Sequence, residues 1–152
     1  VGIARAGLFP AAHVAAALRK ELYPVRITRR INDRVVYERP VWKVDVTADV
    51  AGRRVVVIDE MADSGETLQL VAERVRERGA TSVATASLVA HSWAAPQPEI
   101  VALESDALVL FPWDARVLID GVWQVNPEFA EAIALQKTKA HKSSGEPDQP
   151  EA

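Results

Sequence analysis

The chain holds 152 residues, room for one compact domain with its own core. Apolar residues make up 49% and charged residues 26%, which excludes wholesale disorder. Lys and Arg total 18 against 21 Asp and Glu, a net charge of −3, so no overall basic field draws a polyanion and nonspecific nucleic-acid binding is disfavoured. The absence of cysteine excludes disulfides, thiol catalysis and Cys-based zinc sites, and agrees with a cytoplasmic location. No stretch is long and apolar enough to span a membrane, and no signal peptide is visible. Because the first residue is Val1 and already reads as strand, a segment upstream of it is expected.

Val1 to Ala4 reads as a strand, turns through Arg5-Ala-Gly7 and enters an Ala- and Leu-rich helix near Pro10, where proline suits the first turn. Val14, Leu18 and Leu22 recur at i, i+4 and i+8, which predicts one buried stripe. From Tyr23 to Val50 the pattern alternates at Val25/Ile27 and Val41 to Val46 but breaks at Asn32-Asp33, the mark of a hairpin-like excursion with a mobile middle. Val55 to Ile58 is an unbroken β-branched run, predicting a strand covered on both faces in a parallel sheet. A helix is expected from Thr67 to Arg78, with Leu68, Val71, Ala72 and Val75 inward and Gly79 at its stop. Strands are expected at Val83 to Val89, Ile100 to Leu103 and Leu108 to Phe111, then a hairpin from Val117 to Val125 around Asp120-Gly121. Asn126-Pro127 caps a short last helix, and the polar stretch from Lys137 to Ala152 reads as a disordered tail. Strands alternating with helices predict an α/β fold over residues 1–136: a single domain with a mostly parallel sheet flanked by helices.

In such sheets ligands sit at the carboxyl ends of strands, so Asp59 to Thr67, two acids leaving a strand before a small-residue loop that opens a helix, marks a site. Gly65 allows close backbone approach, and the amides of Ser64 to Thr67 with the Ser64 and Thr67 hydroxyls form an anion cradle suited to a phosphate monoester. Asp59 and Glu60 cannot bind phosphate directly, but can accept from sugar hydroxyls or hold a hydrated Mg²⁺. Together they suggest a phosphorylated ribose.

Val55-Val-Val-Ile-Asp-Glu-Met-Ala-Asp-Ser-Gly-Glu-Thr-Leu68 resembles the phosphoribosyl pyrophosphate (PRPP) motif of type I phosphoribosyltransferases. Val1 to Pro10 is similar to the family's pyrophosphate loop, which commonly carries Arg-Gly-Gly and a non-proline cis peptide; here Ala6 replaces the first glycine. The resemblance runs from Val1 to about Asp114 and adds a hood-like role for the C-terminal hairpin. It implies that Asp59 and Glu60 contact the ribose hydroxyls and Mg²⁺. It places the 5′-phosphate on Asp63, Ser64, Gly65, Glu66 and Thr67, with the Glu66 side chain turned to solvent. Asp63 would also accept the proton of the attacking base, and Arg5, Ala6 and Gly7 would hold pyrophosphate. The excursion from Arg26 to Lys43 is placed like the family's closing loop and carries six cations against Asp33 and Glu38.

Phe111-Pro-Trp-Asp114 resembles the ending of xanthine-guanine phosphoribosyltransferases, which implies a purine acceptor and a base pocket containing His91, Leu108 and Trp113. Those enzymes have a Lys where this chain has His91 and an aromatic residue where it has Leu108, departures that leave room for another base. The resemblance thus implies a Mg²⁺-dependent transfer of phosphoribose from PRPP to a nucleobase, in a cytoplasmic dimer or tetramer with no nucleic-acid or membrane partner. The alternative is a noncatalytic PRPP-binding regulatory module. The residues also admit plainer readings: Arg5-Ala-Gly7 as a tight turn, the cationic excursion as a solvated hairpin or dimer surface, and Trp42, Trp93 and Trp123 as core or interface aromatics.

Overall fold

A computed structural model describes residues 1–31, 34–127 and Phe129. The chain divides into two compact units, Val1–Asp106 and the residues from Ala107 on, each described by itself. In the first unit β1 (Gly2–Ile3) leads into α1 (Leu8–Leu18), then β2 (Pro24–Thr28), the short pair β3 (Arg30–Ile31) and β4 (Arg34–Val35), and β5 (Val41–Val44). A single 3₁₀ turn (Ala48–Val50) precedes β6 (Arg54–Ala62), α2 (Glu66–Glu77), β7 (Ser82–Ala90) and β8 (Ile100–Glu104).

Six strands form one sheet in the order β5-β2-β1-β6-β7-β8, parallel throughout except for β5 on the edge. From β1 the chain moves outward to β2 and β5, then returns to β6 and proceeds the other way. The order therefore reverses between β1 and β6, and α/β sheets bind ligands beyond the carboxyl ends of strands at that reversal. Strand β6 pairs with β7 from Arg54↔Ser82 to Ala62↔Ala90, so Asp59 and Glu60 lie within the paired carboxyl-terminal half of β6, beyond the valine run.

The core lies between the sheet and α2. Leu68, Val71, Ala72 and Val75 are buried against Ile3, Val25, Ile27 and Val57, the helix face the periodicity predicts. Gly79 follows at φ 90°, the left-handed conformation expected after a helix stop. Asp45, just beyond β5, accepts two hydrogen bonds of 2.9 Å from the Arg74 guanidinium and one of 2.5 Å from Arg78. The Arg74 bonds hold its carboxyl well below the usual carboxylate range, and the clamp ties the returning excursion to α2.

Helix α1 departs from the expected stripe. Val14 and Leu18 are 39% and 63% exposed, while Pro10 and Ala11 are its buried residues. The helix approaches β1 so closely that a Cβ on Gly2 would lie 2.7 Å from that of Ala11, so small residues make the contact and the larger ones are displaced to the flank. Leu22, past the helix, does turn inward and is half-buried. For the same reason the valine run is not covered on both faces: Val57 is fully buried and Val56 is exposed.

In the second unit β9 (Arg116–Ile119) and β10 (Val122–Val125) form the expected hairpin, with Asp120 at φ 50° and Gly121 at φ 78°, the signature of a type I′ turn. Leu108 to Phe111 is not a strand; Pro112 supplies no amide, and the chain turns instead, with Asp114 N–H donating to the Phe111 carbonyl at 3.0 Å. Nor do the tryptophans all pack inward: Trp42 is half-buried, but Trp93 and Trp123 are exposed. The break at Asn32-Asp33, the last helix beyond its opening turn, the boundary at 136 and the tail from Lys137 lie outside the described residues.

Candidate functional site

A cleft of about 450 Å³ opens beyond the carboxyl ends of β1 and β6. The β1–α1 turn contributes Arg5 and Ala6, the excursion Thr28, Arg29 and Arg30, and the β6–α2 loop the whole run from Asp59 to Thr67. Two segments more than fifty residues apart in sequence thus share one cleft, as the motif reading expects.

The first segment is shaped to meet the second. The Ala4–Arg5 peptide is cis, as in the pyrophosphate loop that Val1 to Pro10 resembles. Gly7 lies so close to β6 that a Cβ there would collide with Asp59 Oδ1 and sit 2.6 Å from the Ile3 carbonyl oxygen, so a larger residue would push the turn away from the acids.

The two acids differ from solvated carboxylates. Burial pushes the Asp59 carboxyl well above its ordinary value, and the neighbouring Glu60 carboxyl adds to the effect; the Glu60 amide, donating to Asp59 Oδ1 at 3.0 Å, opposes it. Glu60 Oε2 is buried with no hydrogen-bond partner among the described residues. A buried carboxylate oxygen without a donor is costly, and a sugar hydroxyl or a cation would satisfy it. Hard oxygen donors of this kind fit Mg²⁺, which keeps waters and substrate oxygens and needs only one or two protein carboxylates. Among the described residues no cluster of three or more His, Asp or Glu could hold a metal by itself.

The loop into α2 has the cradle geometry. Gly65, at φ 82°, caps the helix in a conformation that L side chains avoid, and a Cβ there would strike the Pro96 carbonyl oxygen. The Ser64 hydroxyl accepts from the Glu66 amide at 3.3 Å, Thr67 is half-buried beside it, and the Glu66 side chain is exposed as expected. The amides of the first helical turn make the positive end of the helix dipole.

The proposed base readers are divided between the units. His91 is buried at the end of β7, its Nδ1 2.7 Å from the Ser105 carbonyl oxygen, which can only accept, so the ring proton sits on Nδ1. Its Nε2 is 3.9 Å from Asp63 Oδ1. Leu108 and Trp113 belong to the second unit, where Trp113 stacks on Phe111 with centroids 5.0 Å apart and planes 4° from parallel. Trp93, read from sequence as a core or interface aromatic, is exposed and donates its indole N–H to Asp63 Oδ1 at 3.0 Å. The signal that could have found it is position: a tryptophan just past a strand's carboxyl end lies where such sheets place their sites.

A mostly parallel sheet with a cleft at its strand reversal and a helix opening onto that cleft defines a doubly wound α/β protein. The chain belongs to the phosphoribosyl transferase domain family, whose model matches residues 1–120. Among solved structures it is similar to a purine phosphoribosyltransferase from Pyrococcus horikoshii Ot3, at 29% identity and a TM-score of 0.67 over 78% of each chain. It shares its fold with a hypoxanthine phosphoribosyltransferase from Trypanosoma cruzi, at 13% identity and a TM-score of 0.56 over 68% of this chain and 58% of that one. Among curated proteins it is 36% identical over 64 residues to a hypoxanthine-guanine phosphoribosyltransferase of Streptococcus pneumoniae, a match covering 42% of this chain and 33% of that protein. It is also 45% identical over 42 residues to the transcriptional regulator GfcR of Methanococcoides burtonii, covering 28% of this chain and 21% of that one. The chain thus spans about a third or less of the curated relatives it matches. No helix among the described residues is long and apolar enough to cross a membrane.

Proposed function

We propose that the protein is an enzyme that transfers the phosphoribosyl group of PRPP to a nitrogenous base, a purine, releasing pyrophosphate. The observation that carries this reading is the single cleft lined by both Arg5–Ala6 and Asp59–Thr67. The likeness to a purine phosphoribosyltransferase over most of both chains supports the purine assignment.

In this reading Ser64 to Thr67 hold the 5′-phosphate by their amides and hydroxyls, with Asp63 at the loop's start, while Asp59 and Glu60 accept from the ribose hydroxyls, which satisfies Glu60 Oε2. Arg5, Ala6 and Gly7 hold the pyrophosphate. The bond from ribose C1 to pyrophosphate oxygen breaks as that from C1 to the base nitrogen forms, and Asp63 accepts the proton that nitrogen loses. His91, just past β7, would read the base. Asp59 and Glu60 would hold Mg²⁺, directly or through water, and the ion, when bound, neutralises leaving-group charge. The chain's own contribution is positioning and exclusion of water. A cytoplasmic location and a homodimer or homotetramer belong to the same reading, and sedimentation tests the latter.

The experiment is pyrophosphate release with PRPP and Mg²⁺ against guanine, xanthine, hypoxanthine, adenine, uracil and orotate. Release with one base supports the reading and names the acceptor. Asp59→Asn with Glu60→Gln should lower that turnover by about 10²-fold or more while leaving the circular dichroism spectrum unchanged; undiminished turnover in the double variant overturns the site assignment. A second reading, a PRPP-binding regulatory module, is favoured by the match to a transcriptional regulator and by His91 and Leu108, which stand where xanthine-guanine phosphoribosyltransferases have a Lys and an aromatic residue. PRPP binding with silence across the panel would select it.

A further inference from the structure

We propose that Trp93 is a positioning residue: its indole N–H holds the Asp63 carboxylate in the orientation from which that group takes the acceptor's proton. The inference rests on the transfer reading for Asp63's task, but the clamp itself is observed in the geometry.

The Asp63 side chain is 68% exposed, and a carboxylate that open to water has no packing to fix its rotamer. The indole donor at 3.0 Å supplies the constraint. The donor is itself fixed, because the Trp93 ring stacks on His91 with centroids 4.3 Å apart and planes at 20°, and His91 is locked through Nδ1 to the Ser105 carbonyl. Around this contact the 91–97 loop is laced to the phosphate loop residue by residue. The His91 amide donates to the Ala62 carbonyl at 3.1 Å, the Ala95 amide donates to the Ser64 carbonyl at 2.9 Å, and the Pro96 carbonyl abuts Gly65. Gln97 Nε2 closes the loop on itself, donating to the His91 carbonyl at 2.8 Å. Trp93 and Asp63 are the side-chain rung in a seam otherwise made of backbone.

A packing role alone does not account for the placement, since Trp93 leaves 46% of its surface in water while its one polar atom meets a carboxylate. With the indole on Oδ1, Oδ2 is the oxygen available for the proton that leaves the acceptor nitrogen when C1–N forms and C1–O breaks. Charge-assisted bonds of this kind are short and directional enough to set a carboxylate's plane.

Trp93→Phe keeps a ring against His91 and removes the donor. The test measures kcat, KM and PRPP affinity by calorimetry for the full chain and for W93F, D63A and the double variant, with the Trp93 indole N–H resonance followed by ¹H–¹⁵N NMR. The expected result for W93F is PRPP affinity within about twofold of the parent with kcat about tenfold lower, and less than about twofold further loss of kcat when W93F is added to D63A, because the two act as one unit. The resonance, identified by its loss in W93F, should shift in D63A. An unmoved resonance, an unchanged kcat in W93F, or an equal tenfold loss in the D63A background would overturn the proposal. A resonance that shifts in a protein that binds PRPP yet transfers to no base supports the clamp and overturns the transfer reading alone.

Discussion

At the scale of single residues the site is held in a state that the free protein disfavours. Burial and then the adjacent Glu60 disfavour the ionised form of Asp59, so its carboxyl titrates well above the ordinary 3.8. The unfolded chain releases this proton first. Between the unfolded and the folded value the native state therefore binds more protons, and stability falls as pH rises through that window. Asp59→Asn removes the cost while its carbonyl oxygen can still accept the Glu60 amide. The variant is expected to unfold at a higher temperature than the parent at about pH 7, and the gain should vanish below about pH 4, where both forms are neutral. Thermal unfolding across that range checks it; a gain that persists in acid would mean that sterics, not ionisation, set the difference.

At the scale of elements the two helices show what a sequence pattern can and cannot carry. Leu18→Ala is expected to cost less than about 0.5 kcal/mol, as an exposed substitution does, whereas Leu68→Ala should cost about 2–5 kcal/mol through the cavity it leaves. Chemical denaturation of both variants tests the contrast, and a large loss for Leu18→Ala would show that something covers α1 in solution. The sequence ranks these leucines alike, each in an i, i+4 series of apolar positions. Helix α2 was legible because its other face is charged, so the periodicity has a single solution. Helix α1 has no charged residue to mark its outer face, and the choice was made by a contact outside the helix, Gly2 against Ala11, that no local pattern records. Asp59 to Thr67 was legible for the opposite reason: acids, glycine and hydroxyls there break the surrounding apolar pattern and have little use in a core. Trp93 was not, because a tryptophan fits a core as readily as a clamp and only the fold brings it to Asp63.

At the scale of the whole molecule, net charge and local charge point in opposite directions. The chain as a whole carries −3, yet positions 26–43 hold six cations against two anions, and Arg29 and Arg30 from that stretch line the cleft. If the transfer reading holds, the ligand is the polyanion PRPP, which a net-negative protein repels at long range, so the reading expects attraction from this segment close in, where an added salt screens it. Affinity for PRPP, measured by calorimetry, is expected to fall about tenfold between about 0.05 M and 0.5 M NaCl, with a shallower slope in Arg30→Ala. The circular dichroism spectrum is expected to be unchanged by that substitution, since Arg30 is exposed and, among the described residues, its strand pairs with β4. Affinity indifferent to salt, or an unchanged slope in the variant, would assign the cationic excursion to a solvated hairpin or a dimer surface and leave the binding of pyrophosphate to the β1–α1 turn.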